Sequence, residues 1–149
     1  MKPRQHRGWS YLLVALQLST FLLLFREGDV IPSHPVSLTL QLLGVLVGAS
    51  GIWVMSRSKI NVMPEVREGA SLVEHGPYRW IRHPMYASVL MIATAKVLDG
   101  ISGIQIALLA ALAGVLALKI LREEALLRES FPGYRDYQAR TARLIPFVF

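Results

Sequence analysis

Residues 69–86 read GASLVEHGPYRWIRHPMY. This is the longest stretch with few aliphatic residues in a 149-residue chain that is 53% hydrophobic. It holds two of the four histidines, with two arginines, two prolines, two tyrosines and a tryptophan. Before it lies an uncharged run of 21 residues, 36–56, and after it an apolar run of 14, 85–98. About 20 apolar residues in a helix cross the hydrocarbon core of a bilayer. Residues 69–86 therefore read as a polar, aromatic, proline-punctuated segment at a membrane surface.

The rest of the chain extends this reading. Lys2, Arg4 and Arg7 precede an uncharged 17-residue run, 9–25. That run is long for a secretory signal and no cleavage pattern follows it, so it reads as a retained first membrane helix. Gly28, Pro32 and Pro35 then break the helix. In run 36–56, Gly44 and Gly48 form a small-xxx-small pair suited to close helix packing. Asp99-Gly100 marks a turn, and 101–121 returns as a second arm, with Ala107, Ala110, Ala111, Gly114 and Ala117 forming a small face. The first arm is interrupted by Lys96, placed to reach the far surface. The expected fold is an all-α integral membrane protein of one domain, residues 1–149. It has about four embedded helices (9–25, 36–56, 85–98, 101–121), the last two a hairpin, and a cytoplasmic amphipathic C-terminal segment.

Charge orients this scheme. Of the 16 Lys and Arg residues, 14 fall in the N-terminus, in 57–82 or at and beyond Lys119, and only Arg26 and Lys96 fall on the other side. By the positive-inside rule both termini face the cytoplasm. A net charge of +6 arranged in this way matches a membrane better than a nucleic acid. With no cysteine, disulfides, thiol nucleophiles and Cys-ligated metals are excluded. The histidines show no metal-ligand spacing, and no phosphate-binding glycine loop is present.

The hairpin has a consequence for chemistry. His83 and Tyr86 stand just before it, Glu123 and Glu124 just after it. A chain that goes out and comes back returns both clusters to one surface. Taken alone, Glu123-Glu124 reads as a solvated helix end, although carboxylates there oppose the helix dipole. Arg79 and Arg82 alone read as topology signals, and Tyr78 and Trp80 as interface residues. Together they outline a polar pocket beside hydrocarbon, a default functional candidate.

The ordered set Leu72-Val73, Gly76-Pro77-Tyr78-Arg79-Trp80, Arg82-His83-Pro84-Met85-Tyr86, a two-pass hairpin, Glu123-Glu124-Ala125-Leu126-Leu127, Phe131 with Tyr134 and Tyr137, and Ile145-Pro146-Phe147 resembles the isoprenylcysteine carboxyl methyltransferase family. Membrane phospholipid N-methyltransferases share the R-H-P-x-Y and E-E elements. The resemblance covers roughly the last 95 residues, whereas the first two helices match only in being hydrophobic. It implies a membrane methyltransferase using S-adenosyl-L-methionine, with S-adenosyl-L-homocysteine as product, in a cytoplasm-facing pocket built from 69–86 and 119–149. Carried over, the cofactor-binding residues are Ala70, Ser71, Leu72, Val73, Tyr78, His83, Pro84, Met85, Tyr86 and Glu123. The catalytic candidates are Arg82, Glu124 and Lys119. Lys119 stands where the family places a substrate-contacting arginine, keeping the charge but losing the planar fork.

These residue types suit the implied chemistry. Glu123 can accept hydrogen bonds from ammonium or hydroxyl groups, and the faces of Tyr78 and Tyr86 attract cations. A carboxylate acceptor needs only positive charge to hold it, from Lys119, Arg82 or Arg122. An amine acceptor needs deprotonation, with Glu124 or His83 to assist. The implied partner is a lipophilic or prenylated acceptor entering from the membrane lipid, not nucleic acid. Carboxyl O-methylation, headgroup N-methylation and a non-catalytic scaffold all remain open at this point.

Overall fold

The computed structural model describes residues 7–26, 28–57 and 72–146. Ala70 and Ser71, together with Lys2, Arg4, Lys59, Arg67 and Phe147, lie outside the described residues. Within the described residues five α-helices follow in order: α1 (Arg7–Leu24), α2 (Pro35–Arg57), α3 (Pro84–Asp99), α4 (Gly103–Ser130) and α5 (Tyr134–Arg140), with a short 3-10 turn at Gly76–Arg79 before α3. Among the described residues there is no strand, only an isolated parallel bridge between Ile81 and Ala142.

Local chemistry sets the helix starts. Pro35 and Pro84 open α2 and α3, where a missing N–H costs nothing. Ser102 caps α4, its hydroxyl accepting from the Gln105 N–H at 3.2 Å. Ser-x-x-Gln is a capping-box sequence. The Asp99-Gly100 turn joins α3 directly to α4 as expected.

Helix α3 is the central element, buried on most of its circumference. It packs on α2 along one side and on α4 along another, and α1 lies on α4. Leu24, Ala93, Val97, Leu112 and Leu116 form the core where α1, α3 and α4 meet. Gly44, Gly48 and Gly51 are buried on α2. A Cβ at Gly44 would lie 2.9 Å from Ile92 Cγ1, and one at Gly48 would collide with Ser88 Oγ. The small-xxx-small pair is thus the seat of α3. Gly48→Leu is expected to destabilise the protein by about 1–3 kcal/mol, as overpacking does, and thermal unfolding in detergent measures it.

Two helices, α2 and α4, are long and apolar enough to cross a membrane. Only 11% and 17% of their most apolar windows are buried within the molecule. The remaining apolar surface, including Leu42, Leu46, Ile52, Ile104, Ile106 and Leu118, faces outward. Outward apolar faces of this extent suit lipid and not water. At 18 and 16 residues, α1 and α3 are shorter.

Three expectations change. The returning arm does not stop near residue 121: α4 runs 28 residues to Ser130, so Glu123 and Glu124 sit inside a helix, and their conflict with a helix end disappears. The small face of α4 is not packed: Ala107, Ala110, Ala111, Gly114 and Ala117 are exposed, and the buried stripe is Leu112, Leu116, Ile120 and Glu124. Lys96 reaches the α1–α2 link as a buried side chain and not an exposed one, donating to the Asp29 carbonyl at 2.7 Å. Beside it the His34 N–H donates to Asp99 Oδ1 at 2.9 Å, fastening the α1–α2 link to the end of α3.

Candidate functional site

The 3-10 turn sets the approach to α3. Gly76 has φ +63°, and a Cβ there would lie 2.7 Å from Val54 Cγ2, so backbone geometry and space both require glycine. Beyond the turn the chain pairs with the C-terminal strip. The Arg82 N–H donates to the Ala142 carbonyl at 2.8 Å, the His83 N–H to Arg143 at 3.0 Å, and the Ala142 N–H to Trp80 at 3.1 Å. The Tyr137 hydroxyl donates to the Tyr78 carbonyl at 2.6 Å. The C-terminal segment is therefore the short helix α5 followed by a strip that clamps residues 80–83.

Across the hairpin, the two clusters meet. The Tyr86 hydroxyl donates to Glu123 Oε2 at 2.9 Å. Arg82 Nε donates to Glu124 Oε1 at 2.8 Å. His83 lies between the two carboxylates, Nδ1 3.8 Å from Glu123 and Nε2 3.5 Å from Glu124. Its ring stacks on Tyr86 with centroids 5.5 Å apart. His83 is buried, and its Nε2 has no hydrogen-bond partner within normal geometry.

The two glutamates have different surroundings. Glu124 is fully buried and, besides Arg82, receives Gln138 Nε2 at 3.1 Å and Arg143 Nε at 3.3 Å. Arg82 also donates to the carbonyls of Gln138 (3.1 Å) and Thr141, and to the Thr141 hydroxyl at 3.3 Å. Glu124 and Arg82 thus face each other and the C-terminal strip. The Glu123 side chain is 36% exposed and faces a small pocket. That pocket, about 80 Å³, is lined by Ser10, Leu13, Val14, Tyr86, Lys119, Arg122 and Glu123. Lys119 Nζ sits 4.9 Å from the Tyr86 ring centroid and donates to Gln17 Oε1 of α1.

Leu72 is half-buried and Val73 buried, just before the turn; Pro84 is buried and Met85 half-buried, both against Gly51 of α2. Tyr78 is buried, and burial, then the Glu123 charge, pushes its phenol up to about 12. A larger hollow, about 460 Å³, lies outside the turn between Glu74, Arg79, Trp80 and the C-terminal strip. Its walls include none of Tyr86, Lys119 and Glu123, so chemistry places the candidate site at the smaller pocket, not the larger one.

Burial likewise raises the phenols of Tyr134 and Tyr137, the charge of Glu124 adding to it at Tyr134 and the Arg82 charge opposing it at Tyr137. A phenol whose folded pKa exceeds its unfolded value contributes stability below about pH 10 and loses it above. The thermal midpoint is expected to fall as pH rises from 10 toward 12, less steeply in Tyr137→Phe.

The residues that sequence reading missed are Gln17, Gln138 and Thr141, and the structural use of Arg143. Tyr134, Tyr137, Gln138 and Thr141 fall at i, i+3, i+4 and i+7, a one-face signal. Gln17 is a lone amide in an apolar run, which is its own signal.

The described residues fit a cationic cofactor at Glu123, which lines the pocket and keeps an oxygen not used by Tyr86. No curated protein matches the chain. A family model does match, over residues 36–129. The match takes in α2, which the quoted motifs had left out, and ends before the C-terminal strip. It spans the turn, the hairpin and both glutamates, most of the chain: the protein belongs to the isoprenylcysteine carboxyl methyltransferase (ICMT) family, a family of membrane methyltransferases.

Proposed function

We propose that the chain is an S-adenosylmethionine-dependent methyltransferase acting on a lipophilic acceptor, with carboxyl O-methylation of an isoprenylcysteine-like substrate the best-supported reaction. The carrying observation is the grouping of Tyr86, Glu123 and Lys119 at the mouth of the pocket between α1 and α4.

When bound, S-adenosylmethionine supplies a methyl group on a sulfonium cation. Glu123 holds the cofactor's ammonium or hydroxyl groups by charge-assisted hydrogen bonds, with Tyr86 fixing the carboxylate. Of the other cofactor-binding residues carried over, His83 stacks on Tyr86, whereas Pro84 and Met85 pack against Gly51 of α2. Lys119 and Arg122 attract and orient the acceptor's carboxylate. Such an acceptor is already ionised, so the protein contributes alignment and needs no base. Arg82 and Glu124 act through position: their ion pair ties α4 to the segment carrying His83 and Tyr86. With Glu124 enclosed by Arg82, Gln138 and Arg143, it is poorly placed to deprotonate an amine, which favours O- over N-methylation.

The topology proposed with this reading has four embedded helices and both termini cytoplasmic. Tags on the two termini are expected to report the cytoplasmic face, and opposite faces would refute it. Activity is tested by transfer of radiolabelled methyl from S-adenosylmethionine to membrane extracts. Base-labile product is expected. Base-stable headgroup product would mean N-methylation, and no transfer would mean a scaffold.

A further inference from the structure

Helix α1 lies outside the residues that match the family, yet it forms one wall of the pocket through Ser10, Leu13 and Val14. One turn further along, Gln17 accepts a hydrogen bond from the Lys119 ammonium across 102 residues of sequence. An amide in the middle of an apolar helix is costly unless it is partnered, and here its partner is the cation of the pocket. We propose that Gln17 is a positioning residue for acceptor recognition, holding Lys119 so that its ammonium presents its remaining N–H groups to an anionic headgroup lodged between α1 and α4.

The geometry gives the reason. A lysine ammonium has three donors on a flexible four-carbon stem. Where a planar guanidinium is pre-organised for a carboxylate, an ammonium is not. Gln17 Oε1 takes one N–H, and the Tyr86 ring, 4.9 Å away, confines the ammonium from another side. Among the described residues two of its donors remain unused, in a pocket that also carries Arg122. Glu123 Oε2 is engaged by Tyr86, which lessens its competition for Lys119. Gln17 thereby gives the lysine some of the directionality of an arginine. The apolar walls Leu13 and Val14 are placed to receive the first carbons of the acceptor's tail.

This inference rests on the methyltransferase reading above, and the test separates the two. The full chain, purified in detergent, is assayed with N-acetyl-S-farnesylcysteine as acceptor, while calorimetry follows S-adenosylhomocysteine. Gln17→Met keeps the side-chain volume and removes the acceptor oxygen. It is expected to raise the acceptor KM about tenfold, the effect of one lost charge-assisted hydrogen bond, with kcat and S-adenosylhomocysteine affinity within about twofold of the parent. Gln17→Glu holds Lys119 but cancels its charge, so KM is expected to rise further. In a Lys119→Gln background, Gln17→Met should change KM by less than about twofold, because coupled residues are not additive. An unchanged KM in Gln17→Met, an undiminished effect without Lys119, or an equal loss of S-adenosylhomocysteine affinity would each overturn the proposal. A parent chain that binds no S-adenosylhomocysteine refutes the cofactor reading. One that binds it but makes no base-labile ester with this probe refutes the acceptor reading, and the role of Gln17 falls with it.

Discussion

Glu124→Ala is expected to lower the thermal midpoint by about 6–20 °C. The substitution strands Arg82, whose side chain is 8% exposed and whose only carboxylate partner among the described residues is Glu124. Removing one member of a buried ion pair costs about 3–5 kcal/mol, because the other charge remains without its counter-charge. For a chain of this size each kcal/mol is worth about 2–4 °C. The loss extends beyond the pair, since Gln138 and Arg143 also converge on this carboxylate. The C-terminal strip should loosen with it, which amide hydrogen exchange over residues 80–83 and 138–143 would register. Glu124→Gln keeps the shape and one acceptor, and should retain part of the stability. A thermal midpoint unchanged in Glu124→Ala would contradict the role of this ion pair as the tie between α4 and the strip.

Glu123→Ala is expected to do the opposite: little to stability and a great deal to ligand binding. Its carboxylate is 36% exposed and among the described residues makes one hydrogen bond, from Tyr86, so the folded state should lose about 1 kcal/mol. S-adenosylhomocysteine affinity should fall about 100-fold, the upper range for a hydrogen bond to a charged group. Calorimetry on the purified chain measures it. Tyr86→Phe, which leaves Glu123 in place but unanchored, should fall between parent and Glu123→Ala. Two adjacent glutamates with opposite phenotypes make a sharp test. If Glu124→Ala loses affinity at full stability while Glu123→Ala unfolds, the assignment of the two is reversed.

Much of this site is legible in the chain as written. Proline and glycine punctuation marks the turn at Gly76 and the start of α3 at Pro84. The apolar runs mark α1, α2 and the hairpin to within a few residues at most ends. The Asp99-Gly100 turn brings His83 and Tyr86 back beside Glu123 and Glu124. What local pattern does not reveal is rotation. Neighbours on an α-helix point about 100° apart, so one glutamate of the pair enters the core and the other faces the pocket. An amphipathic helix would announce which. Helix α4 is apolar nearly all round, and the small residues that advertised a packing face turn out to be exposed.

The sequence by itself determined the helices, their order, and the two polar clusters that the hairpin returns to one end, because these follow from run lengths and backbone-breaking residues. Only the tertiary structure decided what each polar side chain does. Packing of Leu112, Leu116 and Ile120 sets the rotation of α4 and carries Glu124, four residues on, inward to Arg82. The same rotation leaves Glu123 and Lys119 at the pocket, where Tyr86 and Gln17 meet them from two other helices. Those partnerships cross 37 and 102 residues. They depend on how whole helix faces fit, a property that no local pattern encodes.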